Sequence, residues 1–131
     1  GWRGFAQVNF QRRLAALSAA VVVGLIWSLW HLWPALTPLG RAELTVTDVV
    51  STLVRLVSTA VIYAWLYNST DGALPVVLVA HAAHNTAISL MPVEIIGADA
   101  GAPAVALLHV VAAIAVIAGT SVRTLTRAGR S

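Results

Sequence analysis

A chain of 131 residues that is 59% hydrophobic and only 10% charged, with a mean hydropathy of +0.85, is too apolar for a disordered segment or for the surface of a soluble globule. Eight basic residues, all arginine, stand against five acidic ones for a net charge of +3, so the pI of about 10.7 reflects scarce charge rather than a surface suited to nucleic acid. The absence of cysteine excludes disulfides, thiolate metal sites and a cysteine nucleophile.

Four apolar stretches approach or reach the roughly 20 residues an α-helix needs to cross a bilayer. The first, about 14–33, follows Arg12 and Arg13 and stops at Pro34. The second, about 49–67, carries one internal charge, Arg55. A polar turn from Asn68 to Gly72 leads into the third, about 73–91, with Pro75 in its first turn, where a missing N–H costs least. The fourth, about 102–122, precedes Arg123, Arg127 and Arg130. The fold expected is therefore an all-α, polytopic transmembrane helix bundle of about four spans, with residues 1–131 as a single membrane domain. Three further spans follow the first, which argues against a signal peptide. The chain opens at Gly1 without an initiating methionine and reads as the C-terminal portion of a longer product.

Four crossings put both termini on one side. That side holds Arg3, Arg12, Arg13, Arg123, Arg127 and Arg130, whereas the opposite loops hold Arg41 beside Glu43, Asp48, Glu94 and Asp99. The excess of arginine makes both termini cytoplasmic. An integral protein of a bacterial plasma membrane is expected, the origin being read from arginine standing in for lysine throughout.

Polar residues at membrane depth are costly unless they face a protein interior or a wet cavity, so they point to function. On the third helix, at about 100° per residue, His81, His84 and Asn85 share one face. On the first, His31 lies one turn beyond Trp27. Two histidine-bearing helices in one small bundle suggest a common polar pocket. Counted at about 1.5 Å per residue from the cytoplasmic ends, however, His31 falls about 25 Å along its helix and His81 about 10 Å along its own. Upright helices would keep them apart. Tilt, an earlier start for the third helix or re-entry of the segment from Arg3 to Arg13 would close the gap.

These residues resemble the CPBP family of intramembrane proteases, which includes the CAAX prenyl endopeptidases and bacterial relatives linked to bacteriocin self-immunity. Gly1-Trp2-Arg3-Gly4-Phe5 resembles the second half of the family's Glu-Glu-x-x-x-Arg motif, which usually continues Arg-Gly-Phe. Trp27-Ser28-Leu29-Trp30-His31 matches Phe-x-x-x-His with tryptophan for phenylalanine, and His81-Ala82-Ala83-His84-Asn85 matches His-x-x-x-Asn. Tyr67 to Gly72 is similar to the segment that usually precedes the last motif.

The resemblance implies an endopeptidase in which a glutamate activates water, His31 positions that water, His81 and Asn85 stabilise the oxyanion, and Arg3 holds the carboxylate pair. Amide hydrolysis needs a base for water and preorganised donors for the developing charge, so the assignment is chemically sensible. The paired glutamates would stand just upstream of Gly1, four and five residues before Arg3, and are absent from the sequence, and Glu43, Asp48, Asp71, Glu94 and Asp99 all fall in loops or turns. The chain as it stands is expected to be inactive. No cofactor is implied. The expected partners are membrane lipid and a membrane-associated protein or peptide substrate, not nucleic acid.

Other readings remain open on the residues alone. His31 is also suited to an aromatic interfacial belt, and His81 with Asn85 to hydrogen bonding between helices. His31, His81 and His84 would supply three imidazoles to a zinc ion, although the motif pairs His81 with an amide, an uncommon zinc ligand. A noncatalytic interaction or immunity protein of the same fold, and a small histidine-lined transporter, are the alternatives in function. His109 and His84 read as packing residues, and Arg55 as snorkelling toward Asp48.

Overall fold

The computed structural model describes residues 2–33, 37, 45–92 and 101–127, and every regular element among them is helical. A π-helical segment, Trp2–Gln7, runs directly into a short α-helix, α1 (Val8–Gln11). After a turn follow α2 (Ala16–Leu32), α3 (Val46–Ser69), α4 (Leu74–Leu90) and α5 (Gly101–Ala118).

The axis of the bundle is α3, with α2 along one side and α5 along another, while α4 and the π-helical segment pack on it more lightly. The buried face of α2 recurs every three or four residues through Ala16, Ala20, Val23, Gly24 and Trp27, the spacing that lines one side of a helix. Its small side chains let the backbones approach. A Cβ on Gly24 would lie 2.8 Å from Val57 Cα and 2.9 Å from Ala60 Cβ, so only glycine fits at this crossing. Two apolar clusters result. One joins Ala16, Ala20, Val61, Ala64, Ala113 and Leu125, and the other joins Trp27, Leu56, Tyr63 and Val77.

Helices α3 and α5 are long and apolar enough to cross a membrane, and α2 and α4, each of 17 residues, are shorter apolar helices. Leu25, Leu29, Leu78, Val79, Leu107, Leu108, Val111 and Ile114 point outward. Such a surface is a liability in water and the natural exterior of a protein in lipid, where each helix satisfies its own backbone. The chain is a helical membrane bundle.

One end of the bundle is closed by a ladder of amides. Gln7 Nε2 donates to Gln11 Oε1 at 2.8 Å and to the Ala16 carbonyl at 3.3 Å. Asn68 Nδ2 donates to Gln11 Oε1 at 2.9 Å and to the Thr124 carbonyl at 2.7 Å. The Ala16 N–H donates to the Arg123 carbonyl at 2.9 Å. The first helical segment, the end of α3 and the chain beyond α5 therefore meet at the end that carries exposed Arg12, Arg13 and Arg123.

Several boundaries differ from the hydropathy reading. No element was expected before residue 14, yet Trp2–Gln11 is helical, because Arg3 and Gln7 point inward on one face rather than forming an apolar run. Asp48 is not a loop residue: its carboxylate accepts from the Thr45 N–H at 3.0 Å while Thr45 Oγ1 accepts from the Asp48 N–H at 3.1 Å, a capping box that starts α3 at Val46. At the other extreme α5 stops at Ala118, short of residue 122, and the chain turns so that Leu125, at φ 51°, enters the core. Arg41, Glu43, Glu94, Asp99 and Arg130 lie outside the described residues.

Candidate active site

The site grows from the π-helical segment, a rare geometry that is enriched where function needs it. It directs Arg3 into the bundle, where the side chain is 7% exposed, and Arg3 Nη1 donates to Gln7 Oε1 at 3.4 Å. The guanidinium lies 5.8 Å from the Trp27 ring centroid and 5.7 Å from that of Tyr63, a cation held between two aromatic faces.

Trp27 is the hub. Its ring centroid lies 5.2 Å from that of His31 and 5.6 Å from that of His81, both edge-on, and 6.2 Å from that of Tyr63. The two imidazoles therefore share one indole and cannot be further apart than those two separations combined. His81 also packs on Tyr63 at 5.8 Å. The disparity in depth is resolved by where α4 begins. The end of α3 is level with Gln11 through Asn68, whereas the first residue of α4, Leu74, lies against Gly4. Gly4 stands about two helical turns further into the bundle than Gln11. Helix α4 thus begins at depth, and the packing of Trp2–Gln11 in the bundle brings Arg3 to the same level.

His31 has a defined tautomer. Its Nδ1 lies 3.0 Å from the Trp27 carbonyl, which can only accept, so Nδ1 carries the hydrogen and Nε2 holds the lone pair. A water donating to Nε2 would be oriented by it. His31 itself is exposed, and so is Asn85, one turn beyond His81 on α4. A cavity of about 200 Å³ is lined by Trp2, Arg3, Trp27, Tyr63, Val77 and His81 among others, and neither His31 nor Asn85 is in its described lining. The structure thus brings Arg3, His31 and His81 to one indole and leaves Asn85 adjacent along the helix.

His84 does not join them. It reaches Tyr63 at 6.5 Å and faces His109 of α5 at 4.9 Å between ring centroids. Arg55 borders a separate small cavity beside Ser51, Ile88 and Val105. Tyr63, which the sequence reading passed over, joins Arg3, His81 and His84, and its hydroxyl is buried without a hydrogen-bond partner among the described residues. Tyr63 lies on a helix that carries no motif; its one sequence signal is an aromatic phenol among apolar neighbours. Arg3 Nη2 is also buried without a hydrogen-bond partner among the described residues. Asp48 and Asp71 sit at opposite ends of the described chain's α3, and no described carboxylate lines the cavity.

A helical segment thus delivers a buried cation to histidines inside a helical membrane bundle. Residues 1–87 match the family described as Type II CAAX prenyl endopeptidase Rce1-like. The chain belongs to that family, whose members are integral membrane proteases. No curated protein matches the chain, and no solved structure does.

Proposed function

We propose that this chain forms part of a metal-independent endopeptidase that cleaves a peptide carried on a membrane-associated protein. The observation that carries the reading is Arg3 Nη2, a buried cationic donor without a described partner beside two histidines. An unpaired charge in such a place is expensive, and an acidic partner relieves the cost. In a chain with Glu-Glu at four and five residues before Arg3, as the Glu-Glu-x-x-x-Arg spacing requires, those carboxylates would stand about one helical turn from Arg3 and supply the general base. The 131 residues alone would then be inactive.

In this reading the glutamate takes a proton from water while His31 Nε2 accepts the water's other hydrogen. The hydroxide adds to the scissile carbonyl, and His81 and Asn85 donate to the resulting oxyanion. Collapse breaks the C–N bond as the glutamate returns the proton to the leaving nitrogen. Zinc at His31, His81 and His84 is disfavoured, because His84 is turned toward His109 of α5 rather than toward the other two. Both termini are proposed to be cytoplasmic, with the arginine-bearing end of the bundle on that side.

The test compares wild type, Asn85→Ala and His84→Ala in a full-length protein on a membrane-anchored peptide, with and without a zinc chelator. Losing one oxyanion donor typically costs about 10²- to 10³-fold in turnover, so Asn85→Ala should lower kcat far more than it raises KM. His84→Ala should be mild, and the chelator should not abolish hydrolysis. Abolition by the chelator together with equal His84 and Asn85 effects would replace this mechanism with a metalloprotease, and absence of hydrolysis in a chain bearing both glutamates would favour an interaction or immunity role.

A further inference from the structure

Helices α4 and α5 both pack on α3 and meet each other through His84 and His109, whose ring centroids are 4.9 Å apart with planes tilted by 47°. Neither histidine belongs to the site around Trp27, and neither is needed for the hydrolysis described above. Both line a second cavity of about 200 Å³, which shares Tyr63 with the first and is otherwise walled by other residues, Leu108 and Ala112 among them. A pair of imidazoles facing one another inside an apolar bundle calls for a physical reason, since each is costly there without a polar partner.

His109 is held as metal-ligating histidines are held. Its Nδ1 lies 2.7 Å from the Val105 carbonyl and must donate to it, which fixes the ring and leaves the Nε2 lone pair free. The spacing fits as well. A metal–nitrogen bond of about 2 Å puts the centroids of two imidazoles on one tetrahedral ion roughly 5 Å apart.

We infer that His84 and His109 form a binding site for a divalent transition-metal ion of the zinc or copper type, with water completing the coordination. Imidazole nitrogens select such ions over magnesium or calcium, which take oxygen ligands. The consequence is mechanical. Helix α4 has a single buried residue among those described, Val77, so it is lightly anchored to the bundle. An ion shared by His84 and His109 would fasten α4 to α5 one residue before Asn85, and thereby stiffen the helix that carries His81.

Tag-free full-length protein in lipid nanodiscs is titrated with zinc chloride by calorimetry, and with copper(II) by electron paramagnetic resonance, and its Tm is recorded with and without zinc. Wild type should bind one ion per chain, with copper hyperfine structure from two nitrogens, and should gain thermal stability. His84→Ala and His109→Ala should each weaken binding by at least about tenfold and erase the zinc-dependent rise in Tm, whereas His31→Ala should bind as wild type does. Because the apo-protein Tm of every variant is recorded, loss of a fold is distinguished from loss of a ligand, and His84→Gln provides a polar, non-ligating replacement of similar bulk. The inference is overturned by absence of binding to folded wild type, by binding that survives His84→Gln and His109→Ala, or by binding that disappears in His31→Ala. None of these readouts depends on hydrolysis, so failure of the metal site and failure of the proposed peptidase are separable.

Discussion

The guanidinium of Arg3 lies 5.8 Å from the centroid of the Trp27 indole, whose edges also meet His31 and His81. One aromatic ring thus ties the segment Trp2–Gln7 to histidines on two separate helices. Arg3 should tolerate replacement badly, because its planar cation both stacks on the two rings and bonds Gln7. Arg3→Lys preserves charge but neither the fork nor the stacking, and should lose about 1–2 kcal/mol of stability. Arg3→Met, which keeps bulk but removes the charge, should be folded yet catalytically silent in the full-length enzyme. Thermal melts paired with kcat measurements check this, and an active Arg3→Met would refute the role assigned to the cation.

Trp27 should be replaceable by phenylalanine but not by alanine. Trp27→Phe keeps an aromatic face for His31, His81 and Arg3, and should hold kcat within about tenfold of wild type. Trp27→Ala removes the shared wall and opens a cavity, costing about 3–5 kcal/mol. Even under conditions where it stays folded, misplacement of the histidines by about 1 Å should lower kcat roughly 10²-fold.

Gly24 sets the α2–α3 distance. Gly24→Ala places a methyl against Val57 Cα and Ala60 Cβ, where backbone rather than a flexible side chain stands in the way. Overpacking of this kind costs about 1–3 kcal/mol, and Gly24→Val should cost more. The readout is Tm in a fixed detergent, with Gly119→Ala, near the surface end of α5, as the comparison expected to change little.

The amide ladder anchors the segment Trp2–Gln11. Asn68→Ala removes donors to Gln11 and to the Thr124 carbonyl and should lose about 1–3 kcal/mol. It should also increase hydrogen exchange in residues 2–11, whereas Asn9→Ala, whose side chain bonds only the Phe5 carbonyl on its own exposed face, should not.

A cysteine introduced at Asp71, in the turn between α3 and α4, should react with a membrane-impermeant thiol reagent from the cytoplasmic face, together with cysteines near Arg12 and Arg123. Labelling from opposite faces would contradict the proposed orientation.

Much of this was written in the sequence. Hydropathy alone determined an all-helical membrane protein, because lipid leaves a helix no alternative way to satisfy its backbone. The motif spacings marked Arg3, His31, His81 and Asn85, since residues four apart share a helix face whatever surrounds them. What periodicity cannot carry is depth. That His31 and His81 share Trp27 depended on α4 beginning level with Gly4. Partner choice was equally invisible: His84 lies three residues from His81 in sequence, yet it turns to His109, 25 positions away on α5, because a helix face is wide enough to touch two neighbours. Tyr63 acquired its place between Arg3, His81 and His84 solely through packing, as α3 became the helix that every other helix leans upon. Local chemistry is set by which residues a helix carries, but encounters between helices are set by crossing points and starting levels, and those are decided only when small residues such as Gly24 let the backbones close.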